Sequence, residues 1–203
     1  MKLEDFFSKI NLLQDHLCLI FVNTTSNHQN AGDEYLNSYL DFVSWAQGVK
    51  LLNRDEALHL AEVVSQQPEL AATLHQKVIV LREAIYRILV DVSRDQTPKE
   101  ADLETLNTAL TESMAHMRLV HSGTGFDWLW EGDKADPEHL IWRVVWSAGE
   151  LLRSEQLKNV RKCNGCDWLF LDTSRGHRRR WCDMSTCGNR AKARRHYRRT
   201  HTE

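Results

Sequence analysis

Four cysteines stand in the last fifth of this 203-residue chain as Cys163-x2-Cys166-x15-Cys182-x4-Cys187. Two close pairs of thiolates separated by a segment long enough to fold back are the donor set of a structural metal site. Each pair grips the ion from one side, and four sulfurs fill the tetrahedron of zinc without leaving a place for water or substrate. The same sulfurs could instead be ordinary buried cysteines or a redox pair at Cys163/Cys166, and iron or an iron–sulfur cluster would use the same ligands. Pairing together with clustering favours Zn2+ in a structural role. His177 is a substitute donor within reach in sequence, but four cysteines already complete the set. Gly165 gives the first pair the permissive backbone of a tight knuckle. If Cys187 opens a helix, its thiolate faces the positive end of the helix dipole.

Directly behind the fourth cysteine runs Cys187-Gly-Asn-Arg-Ala-Lys-Ala-Arg-Arg-His-Tyr-Arg-Arg199. At about 100° per residue a helix over 189–199 gathers Asn189, Ala193 and Tyr197 on one side, expected to pack on the metal module. Lys192, Arg194, Arg195, Arg198 and Arg199 surround Ala191 on the other. That side carries no acidic residue, so the charges repel one another unless a polyanion neutralises them. Guanidinium groups bond phosphate and the O6/N7 edge of guanine. Arg178, Arg179 and Arg180, with Arg175 and His177, add a second cationic patch, and Arg190 either faces phosphate or ties the helix to Asp172. A merely solvated charged face is the bland reading. A nucleic-acid surface is the one the charge pattern favours, DNA being the expected partner and RNA the alternative.

The elements that must carry this surface follow from composition. From residue 159 onward there are twelve basic residues against four acidic. The first 158 residues hold fourteen against twenty-four, so a net charge of −2 conceals a basic end on an acidic body. We therefore divide the chain into an α-rich body, 1–157, and a zinc finger with a basic terminal helix, 158–203. Three prolines and nine glycines punctuate the whole chain. Thr97-Pro98-Lys99-Glu100, Asp136-Pro137 and Asn53-Arg-Asp-Glu56 read as helix starts. Behind them lie apolar positions at helical spacing, from Leu36, Leu40, Val43 and Ala46 through Leu58, Ala61 and Val64 to Leu74, Val78, Leu81, Ile85, Ile88 and Leu89. Leu103, Leu106 and Leu110 follow, then Leu140, Val144, Val145, Ala148, Leu151 and Leu152. Residues 117–130 break the pattern: two extended segments flank Gly123-Thr-Gly125, and Phe126, Trp128 and Trp130 alternate as in a half-buried strand. The fold class is mainly α with a small β-hairpin and a C-terminal four-cysteine, treble-clef-like finger. Ser154 to Val160 joins the two parts as a helix end.

Leu17 to Val22 is the longest apolar run near the start, too short to span a membrane, and no secretory signal precedes it. A cytoplasmic, soluble protein is expected. There thiols stay reduced, which favours metal over disulfides and leaves Cys18 as a small core residue.

Arg161-Lys-Cys, Cys166-Asp-Trp-Leu-Phe-Leu-Asp-Thr-Ser-Arg175, Arg180-Trp-Cys-Asp-Met184 and Cys187-Gly-Asn-Arg-Ala-Lys-Ala-Arg-Arg195 resemble the CGNR zinc-finger family of bacterial proteins. In that family a helical ABATE domain precedes the finger, and its early motif is similar to Leu17-Cys18-Leu19-Ile20-Phe21-Val22-Asn23-Thr24, with Ile20 where the family carries an acidic residue. The resemblance implies a stress-responsive transcription regulator with metal ligands at Cys163, Cys166, Cys182 and Cys187, and makes Gly188, Asn189 and Arg190 part of the signature. Gly188 would permit a close turn and Asn189 would bond backbone.

The body is expected to sense a small-molecule effector or to form a homodimer. Asn23, Thr24 and Trp45 are the candidate ligand-pocket residues, the first two in a polar run, Asn23 to His28, that would form the rim, and Trp45 with the hairpin tryptophans as walls. A capped helix end followed by a loop is the alternative. Trp128, Trp130, Trp142 and Trp146 fit a core or a dimer face. No motif argues for an enzyme: there is no His-Glu-x-x-His and no P-loop, and Gly123-Thr-Gly125 lacks the remaining glycine of a dinucleotide fingerprint. The reading is a DNA-binding transcriptional regulator, with an RNA-associated or protein-interaction adaptor as its alternative.

Overall fold

The computed structural model describes residues 3–7, 16–26, 28, 33–131 and 136–201. The body is built on α5 (Pro68–Val92), whose stripe of Leu74, Val78, Leu81, Ile85, Ile88 and Leu89 is buried along its length. Pro68 sits in its first turn, where a missing N–H costs nothing. Around it pack α2 (Leu17–Val22), α3 (Tyr39–Gly48), α4 (Arg54–Ser65) and α6 (Glu100–Met114), while α7 (His139–Arg153) closes the bundle against α2 and α6. A short α1 (Leu3–Phe7) leans on α3. No helix among the described residues is long and apolar enough to cross a membrane.

The continuous apolar run of α2 is explained by its place: α5, α7 and the finger surround it, so Cys18 through Val22 are all buried, Ile20 included. Cys18 is fully buried, its thiol donating to the Ser147 carbonyl, and burial pushes its pKa up to about 12. At α4 the expected capping box is complete. The Glu56 N–H donates to Asn53 and the Asn53 N–H donates back to the Glu56 carboxylate, both at 2.9 Å.

Three local expectations need correction. α6 starts at Glu100 with Lys99 as its cap, so Thr97 and Pro98 lie outside it. Asp136 accepts from the Glu138 N–H at 2.9 Å, a turn ahead of α7 rather than at its first residue. In α4 Val64 is buried as read, but Leu58 is exposed and Ala57 and Leu60 are the other buried positions, one residue before Leu58 and Ala61 of the periodicity reading.

The aromatic hairpin forms as β1 (Met117–Ser122) against β2 (Gly125–Trp130), antiparallel, with Gly123 at a φ of +59° in the two-residue turn. Its burial is not the expected half-burial, since every residue of β2 but Trp130 is exposed. The hairpin leaves the bundle as an arm, with Trp128 and Trp130 edge-on to Trp146 at its root.

Beyond α7 a single 3-10 turn, Leu157–Asn159, leads into a second antiparallel pair, β3 (Val160–Lys162) and β4 (Leu169–Leu171). A wide turn over Met184–Gly188 then opens α8 (Asn189–His201). Val160, Trp168, Leu169 and Leu171 belong to the same buried cluster as the helices of the body, so one core serves both parts of the chain.

Candidate metal centre and nucleic-acid interface

β3 and β4 run antiparallel, and the turn between them is the knuckle that carries Cys163 and Cys166. The first cysteine pair is thus the bend of this hairpin. The Cys163 N–H donates to the Trp168 carbonyl and closes the bend. Cys182 and Cys187 arrive from the turn before α8. There the Asp183 carboxylate accepts from the Thr186 N–H at 2.8 Å and from the Ser185 hydroxyl.

The four sulfurs lie within 4.8 Å of one another, and Cys166, Cys182 and Cys187 form a triangle with sides of 3.7 Å. A zinc ion bound by four thiolates at about 2.3 Å has S···S edges of about 3.8 Å, so the donor set fits that ion. Hydrogen bonds from Cys166 and Cys182 hold the Cys163 thiol far below the ordinary range, while those with Cys163 and Cys166 push Cys182 up. Four sulfurs this close cannot all ionise without a cation between them.

The Cys-Gly-Asn-Arg run finds its physical reasons here. Cys187 supplies a sulfur. A Cβ on Gly188 would stand 2.8 Å from the Met184 sulfur, so the turn closes tightly at that position. The Asn189 amide donates to the Ser185 carbonyl at 3.0 Å and ties the first residue of α8 to the preceding turn. Arg190 turns back on its own finger, its guanidinium donating to the Cys187 sulfur at 3.2 Å. Asp172, one of the two partners read from sequence, is bonded instead to Ser174 and Arg179. A tetrathiolate zinc centre carries a formal charge of about −2, and this guanidinium with the Gly165 N–H on Cys163 offsets part of it. Asp172 is fully buried and accepts from the Ser174 N–H and hydroxyl and from the Arg179 N–H, which shapes the loop leading to Cys182. His177 donates from Nδ1 to the Asp172 carbonyl and stands outside the sulfur cluster.

The cationic residues divide into two groups. Arg179 is structural: its guanidinium donates to the carbonyls of Trp181 and Cys182 and lies over the Phe170 ring at 4.8 Å. Arg178 and Arg180 are exposed, the latter 5.7 Å from the Trp181 ring. On α8, Lys192, Arg194, Arg195, Arg198 and Arg199 are exposed, and no residue of this helix is buried. The helix therefore stands clear of the acidic body.

Its orientation differs from the expected one, however. Tyr197 is 62 % exposed and Ala193 is exposed, while Ala191 is half-buried. Arg190, Arg194, Arg195, Arg198 and Arg199 line a cleft of about 440 Å³ whose opposite wall is Asn164, Gly165 and Trp181 of the knuckle side. Cys187 sets this phase. Residues three, four, seven and eleven places after a ligand share its face, which are Arg190, Ala191, Arg194 and Arg198. The arginine face thus borders a groove beside the metal centre.

The candidate ligand-pocket residues have other partners. The Asn23 side chain donates to the Leu169 carbonyl and accepts from the Leu169 N–H, both at 2.8 Å, as a neighbouring strand would. Thr24 is fully buried, donates to the Phe21 carbonyl and accepts from Arg82. Trp45 is fully buried in the core, stacked on Phe42. The Thr25 carbonyl accepts from the Trp168 indole at 3.0 Å. This polar run is a latch between body and finger, and none of Asn23, Thr24 and Trp45 lines an open pocket. Asn27 lies outside the described residues.

Sequence reasoning missed Arg82, which is nearly fully buried, forms a bidentate pair with Glu34 at 2.6 and 2.7 Å and reaches Glu83 and Thr24. A signal was available: Arg82 falls between Val78 and Ile85 on the apolar stripe of α5, where an unpaired charge would not be tolerated.

A family model described as "Putative stress-induced transcription regulator", ABATE, matches residues 15–155. The CGNR zinc-finger model matches residues 159–200. No curated protein matches the chain.

Proposed function

The chain belongs to the ABATE family and ends in a CGNR zinc finger, and from that premise we propose that it is a transcription regulator that binds DNA through α8 and the cleft beside its zinc centre. The observation that carries this reading is the placement of α8. Its thirteen residues hold no acidic side chain, none is buried, and its arginines border a groove rather than packing on the acidic body. Zinc, when bound, supplies structure alone, because four cysteines leave it no open position. The chain's own residues do the rest. Cys187 and Arg190 lock the start of the helix, Asn189 closes its first turn, and Lys192, Arg194, Arg195 and Arg199 remain exposed to meet phosphate.

The body serves as a rigid base. Asn23, Thr24 and Trp45 are all buried, so an effector site at those residues has no support, and the latch that Asn23 and Thr25 form with Leu169 and Trp168 fixes how the finger is presented. Binding is led by phosphate contacts. Affinity falls with salt at a log–log slope of about −0.9 per neutralised phosphate, and Arg194→Ala with Arg195→Ala lowers the magnitude of that slope by about 2. The deciding experiment selects bound fragments in parallel from random duplex DNA and structured RNA pools using the zinc-loaded full chain. Enrichment of a duplex motif supports the proposal. Preferential capture of RNA, or binding unaffected by the double arginine variant, overturns it.

A further inference from the structure

We propose that the β1–β2 arm is the surface through which two copies of this chain pair. The arm is a two-stranded sheet, so the outer edge of each strand is unpaired in the described structure. The register puts Met117, Leu119 and His121 opposite Trp130, Trp128 and Phe126 on one face. The root of that face rests on Trp146, and beyond the root the arm is bare: Leu119, Phe126, Trp128 and Leu129 are 57, 69, 55 and 52 % exposed. A lone hairpin is marginal in water, and one with apolar residues open on both faces is more so.

Size and charge identify the occupant. With about 200 Å² per aromatic side chain and slightly less for leucine, Leu119, Phe126 and Trp128, which share one face, present roughly 350 Å². This is within the range of the largest patch a monomer leaves exposed. A two-fold contact doubles that area, and Met114, 59 % exposed three residues before β1, brings it to about 900 Å². That is close to where specific interfaces begin. The arm gives a strongly charged partner nothing to select. Arg118 is paired with Glu131 at 2.7 Å, and Asp127 is the one other carboxylate or cation on the two strands. A balanced apolar patch with a free strand edge is self-complementary across a two-fold axis. The contact is independent of the arginine cleft, which lies on the finger.

Sedimentation equilibrium of the zinc-loaded full chain, without nucleic acid, tests the pairing. The expected result is a concentration-dependent mass approaching twice the 23.6 kDa of one chain, and added salt does not weaken it. Phe126→Glu, a side chain whose ring contact is with His121 on the same arm, raises the dissociation constant at least about ten-fold. Leu119→Glu does the same, and circular dichroism shows both variants folded. A single-chain mass at about 100 µM, where even weak specific pairs are populated, overturns the proposal. So does a dimer that neither folded variant weakens. Neither result bears on DNA binding, which the salt-dependent slope reads separately.

Discussion

Replacing Asn23 by alanine removes a side chain that stands in for a β-strand. Leu169 is buried, and its N–H and carbonyl each lose a 2.8 Å partner with no other polar group offered in exchange. An unsatisfied buried polar group costs about 1–3 kcal/mol, so two cost roughly 2–6 kcal/mol, toward the lower end if water enters the gap. A domain is held by about 5–15 kcal/mol, which makes Asn23 a principal support of the whole chain. At about 2–4 °C per kcal/mol for a chain of this size, the melting temperature falls by roughly 4–24 °C. Leu169 precedes the knuckle's partner strand by no residues at all and lies three positions from Cys166, so the loss also reaches the metal. Transfer of zinc to a chromophoric chelator is expected to accelerate with the same variant. Asn23→Asp keeps the acceptor but turns a carboxylate oxygen toward the Leu169 carbonyl, and is expected to be at least as damaging. Urea unfolding and chelator kinetics on the zinc-loaded protein measure both effects. A loss below about 0.5 kcal/mol, within the range of neutral surface changes, or an unchanged rate of zinc transfer would refute the assignment of Asn23 as the latch.

Arg190→Ala is expected to speed zinc transfer several-fold, because Cys187 loses its charged donor, whereas Arg194→Ala with Arg195→Ala leaves transfer unchanged and weakens DNA binding; paired chelator and gel-shift assays separate the two. Cys18 remains a thiol in the fold well above its ordinary value of 9.0, while the unfolded chain ionises there. Its contribution to stability is therefore present below pH 9 and declines by about 1.4 kcal/mol per pH unit above it. The stability difference between wild type and Cys18→Ala, measured by urea unfolding across the alkaline range, should shrink at that rate. Chelation of the metal is expected to abolish duplex binding while most far-UV helical signal persists, since α2 to α7 contribute no ligand; loss of the whole helical signal would count against this.

The finger was legible because its chemistry is local. Four cysteines at short spacings leave few geometries, and the capping box at Asn53 and Glu56 is likewise written within four residues. What escaped depends on partners far along the chain or on a phase the sequence does not state. Asn23 and Leu169 are separated by 146 positions, and a polar residue after an apolar helix looks the same whether it rims a pocket or clasps a strand. The phase of α8 follows from Cys187 being fixed to the metal, which periodicity of the helix alone does not include. For Arg190, a sulfur three positions earlier in sequence is the partner in place of Asp172. In the hairpin, alternation correctly identified strands, but alternation reports a two-faced ribbon and not whether anything covers either face. Arg82 on the apolar stripe of α5 and Asp102 on the buried face of α6 are buried charges that the helical pattern could have disclosed.

Because Val160, Trp168, Leu169 and Leu171 complete the packing of the bundle, the finger is not a cassette that recombination could move freely. A chimera joining this body to a relative's finger must carry over the matching seam, Asn23 and Thr25 on one side and the Trp168–Leu169 strand on the other. Inheritance of the two halves is thereby tied together, and a chain cut between them would surrender part of its interior to solvent.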